Sequence, residues 1–231
     1  MNDAPEYGET WVYESIVGAL PGVNIGEAGA IVLQIAVFEA AVLVFAWVYD
    51  LWAAAVAGTA AIVVAAAGSV VMLRMGEWTR AARVPAPYRR LLFGSSIEVV
   101  LGVLAFVALV THLFVFDPRQ PGTPLMTTLF GPEPPVVVVY LTLLVLWDLC
   151  YRIGTSWWAA VVGLWGAVRY RFDGPTAGTV RRVNLLNVGF AVAQVLLLPF
   201  VADQPVLLLA VGGHVVAVTV VSVTAAALTR T

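Results

Sequence analysis

Long apolar stretches separated by short polar segments dominate the chain and predict membrane-spanning helices. A helix needs about 20 mostly apolar residues to cross the hydrocarbon core of a bilayer. Five stretches meet this requirement, and they cover residues 28–49, 51–73, 91–116, 183–202 and 206–228. A further apolar region, 136–172, is longer than one perpendicular span needs and contains Asp148 and Arg152. The pattern therefore predicts an all-α, polytopic transmembrane bundle.

The positions of the arginines indicate how many times the 136–172 region crosses the membrane. Arginines are concentrated in residues 74–90 and 169–182, and short cytoplasmic loops accumulate Lys and Arg. The proline- and glycine-rich segment 117–135 has one arginine and is predicted to be external. One crossing by 136–172 then gives six spans with both termini cytoplasmic. A seven-span alternative, with a tight turn around Gly154, would place the second arginine segment outside.

The first 25 residues form a separate, acidic segment. They contain four acidic residues and no basic one, so they lack the positive start of a signal peptide. Trp11, Ile16 and Leu20 lie among its apolar positions and suggest a short interfacial helix that ends near residues 21–22. The remaining chain, 26–231, is predicted to be a single transmembrane helical domain in the plasma (inner) membrane.

Composition supports the membrane assignment and excludes several other classes. The chain of 231 residues is 61% hydrophobic and 11% charged, whereas soluble domains are about 25% charged. Its single cysteine excludes a disulfide framework, and a net charge of −2 offers no electrostatic basis for binding nucleic acid. All twelve basic residues are arginines, so no lysine can form a Schiff base with retinal. The expected partner is the lipid bilayer, and a homo-oligomer or a membrane partner protein is left open.

Four charged residues inside the predicted spans are the main candidates for function, because ionisable groups are costly within a bilayer. They are Glu39, Glu98, Asp148 and Arg152. Asp148 and Arg152 are four residues apart, with the acid first, which favours a pair on one helix face. Glu98 lies between Gly94 and Gly102 on a face that suits close helix packing. Glu39 has apolar neighbours on its own helix, so Arg152 and Glu98 are its candidate partners.

Other polar residues form two weaker patterns. Asn184, Asn187 and Gln194 share one face of a predicted span and could line a hydrated path or hydrogen-bond neighbouring helices. The two histidines, His112 and His214, are predicted in the outer half of the membrane, where two imidazoles at similar depth could ligate one b-type haem. No further ligand motif accompanies them, so no cofactor is predicted and haem remains the alternative.

These residues favour a transporter- or channel-like bundle with a buried polar centre. The alternative is a non-catalytic membrane scaffold or accessory subunit that uses the same residues for packing. Catalytic and nucleotide-binding motifs such as G-x-S-x-G, H-E-x-x-H and the P-loop do not occur in a usable context. An intramembrane enzyme or a b-type haem protein is therefore less favoured than a transporter-like bundle or a scaffold.

Overall fold

The computed structural model describes Trp11 and residues 27–231. The predicted interfacial helix in the first 25 residues lies outside this part of the chain, except for Trp11. The helices within the described part are α1 Glu27–Tyr49, α2 Trp52–Ala81, α3 Ala86–Phe93, α4 Ile97–Thr111, α5 Leu125–Phe130, α6 Val136–Arg169, α7 Gly174–Ala193 and α8 Pro205–Leu228. A π-helical turn and a 3-10 turn extend α4 to Arg119, and a 3-10 segment extends α7 to Val201.

Six helical segments in the described chain are long and apolar enough to cross a membrane, which confirms the predicted six-span bundle. They are α1, α2, α3 with α4, α6, α7 with its extension, and α8. The seven-span alternative is wrong, because α6 runs without a break for 34 residues through Gly154. At 1.5 Å per residue that helix is about 50 Å long. It therefore extends beyond the hydrocarbon core, which is about 30 Å thick.

The two arginine-rich segments meet at one end of the bundle, here called the arginine end. The ring of Tyr88, from the first segment, packs 6.4 Å from that of Phe172 in the second. The N–H of Phe172 donates to the carbonyl oxygen of Arg230 at 3.1 Å, which brings the C-terminus to the same end. Trp11 also lies there, with its indole N–H 3.2 Å from the carbonyl oxygen of Met72.

The opposite end, here called the proline end, is covered by residues 117–135. The side chain of Asp117 accepts a hydrogen bond of 2.7 Å from the N–H of Leu125 and so holds the start of α5. Gly131 ends this short helix with a φ of +80°, a conformation that favours glycine. Met126 packs with Leu113 and Leu207. α5 therefore connects the extension of α4 with the start of α8 across the proline end.

Small residues set the closest helix approach. A Cβ atom on Gly154 of α6 would lie 2.7 Å from the backbone nitrogen of Gly102 on α4, so neither position has room for a side chain. α4 accordingly packs mainly against α6, whereas α1 packs mainly against α2. The bundle thus contains two helix pairs, α1–α2 and α4–α6, on either side of an internal space that is described below.

Candidate polar centre

Asp148 and Arg152 form an ion pair inside the bundle. One turn of α6 separates them, and the guanidinium group uses two nitrogens, with N–O distances of 2.8 Å to Oδ1 and 3.3 Å to Oδ2. The Arg152 side chain is completely buried and that of Asp148 is 17% exposed. Two opposite charges this close lower each other's cost of burial, which is why the pair can lie in a membrane span.

Residues of two other helices complete this site. Gln34 of α1 donates a hydrogen bond of 3.1 Å to Asp148 Oδ2. Another nitrogen of Arg152 lies 3.6 Å from the sulfur of Met72 on α2. A Cβ atom at Gly68 would lie 2.7 Å from Cδ of Arg152, so this glycine makes room for the arginine. Gln34 was not among the predicted site residues, although its amide inside an apolar span is a usable signal.

Glu98 lies in the first turn of α4 and is completely buried. Within the described part of the chain, neither of its carboxyl oxygens has a hydrogen-bond partner. A polar group buried in this way normally has a partner, because loss of hydration is otherwise uncompensated. Glu98 is thus a buried carboxyl group without a hydrogen-bond partner among the described residues, and it is not joined to the Asp148–Arg152 pair by a hydrogen bond.

Glu39 has a different partner from those predicted. Its Oε1 accepts a hydrogen bond of 2.8 Å from the hydroxyl of Thr59 on α2. The expected partners, Arg152 and Glu98, make no hydrogen bond to it in the described structure. The reason is the packing order, since α1 lies against α2. The four charged residues therefore do not form one hydrogen-bonded cluster.

The three amides predicted to share a face have three different environments. Asn187 accepts from the Ser156 hydroxyl at 2.8 Å and donates to the Ser222 hydroxyl at 3.1 Å, which joins α6, α7 and α8. Asn184 donates to the carbonyl oxygen of Val180 in its own helix at 2.9 Å. Gln194 is completely buried, and its amide atoms have no partner among the described residues. Only Asn187 joins helices through its hydrogen bonds.

The two histidines have different aromatic neighbours. The ring of His214 lies 6.5 Å from that of Trp157 on α6. The ring of His112 lies 5.3 Å from that of Phe116 in the extension of α4. Ligation of one haem by both histidines stays the alternative prediction.

A small cavity adjoins the ion pair, but it does not reach Glu98. Its volume is about 20 Å³, and Gln34, Ser69 and Asp148 are among the residues that line it. A space of this size holds about one water molecule. No group of three or more potential His, Cys, Asp or Glu metal ligands occurs among the described residues.

Outside the spans, Asp173 begins α7 at the arginine end. Hydrogen bonds from Thr176, through its hydroxyl and its backbone N–H, hold the pKa of this exposed carboxyl group below its ordinary value. The N–H donor lies 2.8 Å from Oδ1. Because the ionised form accepts both hydrogen bonds, Asp173 caps the helix best when it is charged.

The fold and this site define a helical membrane protein with six candidate spans and ionisable groups inside the bundle. Residues 6–225 match the model of a family of unknown function, DUF7530, and the chain belongs to that family. No curated protein and no solved structure matches the chain.

Proposed function

We propose that the protein is a transporter- or channel-like bundle whose polar centre handles protons or small cations. The observation that carries this proposal is Glu98, a fully buried carboxyl group without a hydrogen-bond partner in the described structure. Ionisable residues inside membrane spans are expensive and frequently mark ion or proton pathways. A carboxyl group used only for packing would be expected to have a donor nearby, as Glu39 has in Thr59.

In this proposal, the ion pair and Glu98 have different tasks. Asp148 neutralises Arg152, Gln34 of α1 contacts Asp148, and Met72 of α2 contacts Arg152, so the pair joins three helices. Glu98 exchanges a proton or binds a cation, which changes the charge at the start of α4. The helices that carry these two sites, α4 and α6, pack closely where Gly102 meets Gly154.

We propose a plasma (inner) membrane location with the arginine end in the cytoplasm. The positive-inside rule supports this orientation, because both arginine-rich segments and the C-terminus lie at that end. Reporters fused after Arg83, after Asp173 and at Thr231 should all report the cytoplasm, and a reporter inserted after Gly122 should report the outside. A cytoplasmic signal after Gly122 would reverse the orientation.

The test of function is proton or cation flux in proteoliposomes with a pH-sensitive or cation-sensitive dye inside. The wild type should exceed empty vesicles, and Glu98→Gln, which is nearly isosteric, should lower the flux at least tenfold with unchanged thermal stability. Glu77→Gln is the matched control, since Glu77 is exposed and pairs with Arg74 on the surface. It should retain full flux.

The same experiment addresses the alternative of a scaffold or accessory subunit. If wild-type protein gives no flux above empty vesicles, or if Glu98→Gln keeps the full flux, the transport proposal fails. Glu98 would then be a packing residue, and affinity purification from native membranes should recover a stoichiometric membrane partner.

A further inference from the structure

A cavity in the described bundle lies toward the proline end and is here called the proline-end cavity. Its volume is about 200 Å³. The lining comes from all six spans and from α5, and it includes Val42, Phe45, Ala61, Leu109, Leu149 and Leu197. None of the four charged candidates lines it. The cavity is thus separate from the polar centre, although Val145 borders both this space and the small cavity beside Asp148.

The lining is apolar and offers water no partners. No charged side chain lines the cavity, and Thr142 is the one polar residue among those that do. Its hydroxyl already donates to the carbonyl oxygen of Val138 at 2.8 Å. An apolar cavity of about 150 Å³ in a soluble protein stays dry and takes up benzene or xenon. The proline-end cavity is of comparable size, so an apolar occupant is favoured over water.

The helix arrangement indicates where this occupant comes from. Residues of α1 and α4 both line the cavity, but α1 packs mainly against α2 and α4 mainly against α6. The space therefore lies between two helix pairs, beside the hydrocarbon core of the bilayer. α5 covers the proline end, where Met126 packs with Leu113 and Leu207. Lateral entry from the bilayer between α1 and α4 is a route that α5 does not cover.

We infer that the proline-end cavity binds an acyl chain of a membrane phospholipid, which enters between α1 and α4 while its headgroup stays at the membrane surface. The bilayer supplies such chains at high concentration. The binding replaces an empty apolar volume by dispersion contacts, which are individually weak but numerous. This inference goes beyond the proposed function and does not depend on Glu98, so it is tested by binding alone, without a flux measurement.

The first experiment fills the cavity with a side chain. Ala61→Phe places a large ring into the space, and Ala53→Phe introduces the same ring at an exposed position of the same helix. Native mass spectrometry of detergent-purified protein should show one retained phospholipid per chain for the wild type and for Ala53→Phe. Ala61→Phe should reduce the retained fraction at least tenfold. Equal retention in both variants would overturn the inference.

The second experiment uses the wild type, so it does not depend on how Ala61→Phe folds. Proteoliposomes contain phosphatidylglycerol with a photoactivatable diazirine near the end of one acyl chain, and labelled residues are mapped by mass spectrometry. Leu113 and Leu197 are 3% and 9% exposed, so surrounding lipid does not reach them. Labels at these residues support the inference.

Leu209, which is 76% exposed, provides the positive control for labelling from the bilayer. Labels restricted to exposed residues such as Leu209 would overturn the inference. A stoichiometric isoprenoid or another apolar small molecule, retained by the wild type instead of a phospholipid, would also overturn the assignment to an acyl chain.

Discussion

The two halves of the bundle use small residues in opposite ways. In the arginine-end half, two glycines lie against large side chains, Gly68 against Arg152 and Gly166 against Tyr88. In the proline-end half, Ala54 and Ala61 line a cavity. Both kinds of position occur on α2, in a series of small residues that recur at spacings of four and three: Ala54, Gly58, Ala61, Ala65 and Gly68. A small-residue pattern therefore predicts room beside a helix, and the opposite helix decides whether that room is filled.

Buried polar groups with known partners lie away from the cavity. The ion pair and Asn187 with its serine partners lie on the arginine-end side of it, whereas the cavity has an almost wholly apolar lining. Fixed partners for a buried polar group require close packing. Apolar walls make no such demand, which allows a void that a lipid chain can fill.

The largest expected effect is at the ion pair. Asp148→Ala removes the carboxylate that pairs with the buried Arg152, and breaking a buried pair costs about 3–5 kcal/mol. Thermal or denaturant unfolding in detergent should show this loss, and Asp148→Ala combined with Arg152→Met should recover a large part of it. Glu77→Ala, which breaks an exposed pair with Arg74, should cost about 1 kcal/mol or less. A double variant as unstable as Asp148→Ala would contradict the pairing.

A smaller effect is expected where α4 crosses α6. Gly154→Ala would place a Cβ atom 2.7 Å from the backbone nitrogen of Gly102, and such overpacking costs about 1–3 kcal/mol. Gly189→Ala is the matched control, because nothing lies within 4 Å of the added atom. Alanine is the better helix former by about 1 kcal/mol, so this control should be neutral or slightly stabilising. Equal destabilisation by both changes would contradict the close crossing.

The smallest effects are expected at two aspartates that hold helix starts at opposite ends. Asp117→Ala removes the acceptor for the N–H of Leu125 at a cost of about 1 kcal/mol. Hydrogen exchange should become faster throughout the six-residue α5, because that short helix has few other contacts. Asp173→Ala should accelerate exchange only in the first turn of α7. Unchanged exchange in α5 would show that contacts other than the Asp117–Leu125 hydrogen bond hold α5 over the proline-end cavity.

The Asp173 cap should also depend on pH. Its folded-state pKa lies below the ordinary value of 3.8, so its contribution to stability is present above that value and is lost as the pH falls through the folded-state pKa. Exchange in the first turn of α7 should therefore be protected at neutral pH and lose this contribution below pH 3.8. Asp173→Asn should show little of this pH dependence.

Several features of the fold follow from local properties of the chain. The number of spans was predictable, because about 20 apolar residues are needed to cross the bilayer and arginines mark loops at one end. Helix ends were less so, since α2 continues to Ala81 and α7 begins at Gly174, beyond the predicted bounds of both spans. Six candidate spans are found in the described chain. The uninterrupted α6 at Gly154 was harder to predict, because a glycine favours a turn in isolation. Here the helix continues because Gly154 packs against Gly102.

The candidate site also combines features that the sequence predicts with features that only tertiary packing determines. The spacing of Asp148 and Arg152 along α6 is a property of the sequence, and four residues return to the same helix face. Their contacts with Gln34 and Met72, the Thr59 partner of Glu39 and the isolation of Glu98 were decided only by tertiary packing. The physical reason is that sequence specifies which groups a helix presents, but the neighbours and rotations of the helices determine which groups meet and where space remains empty.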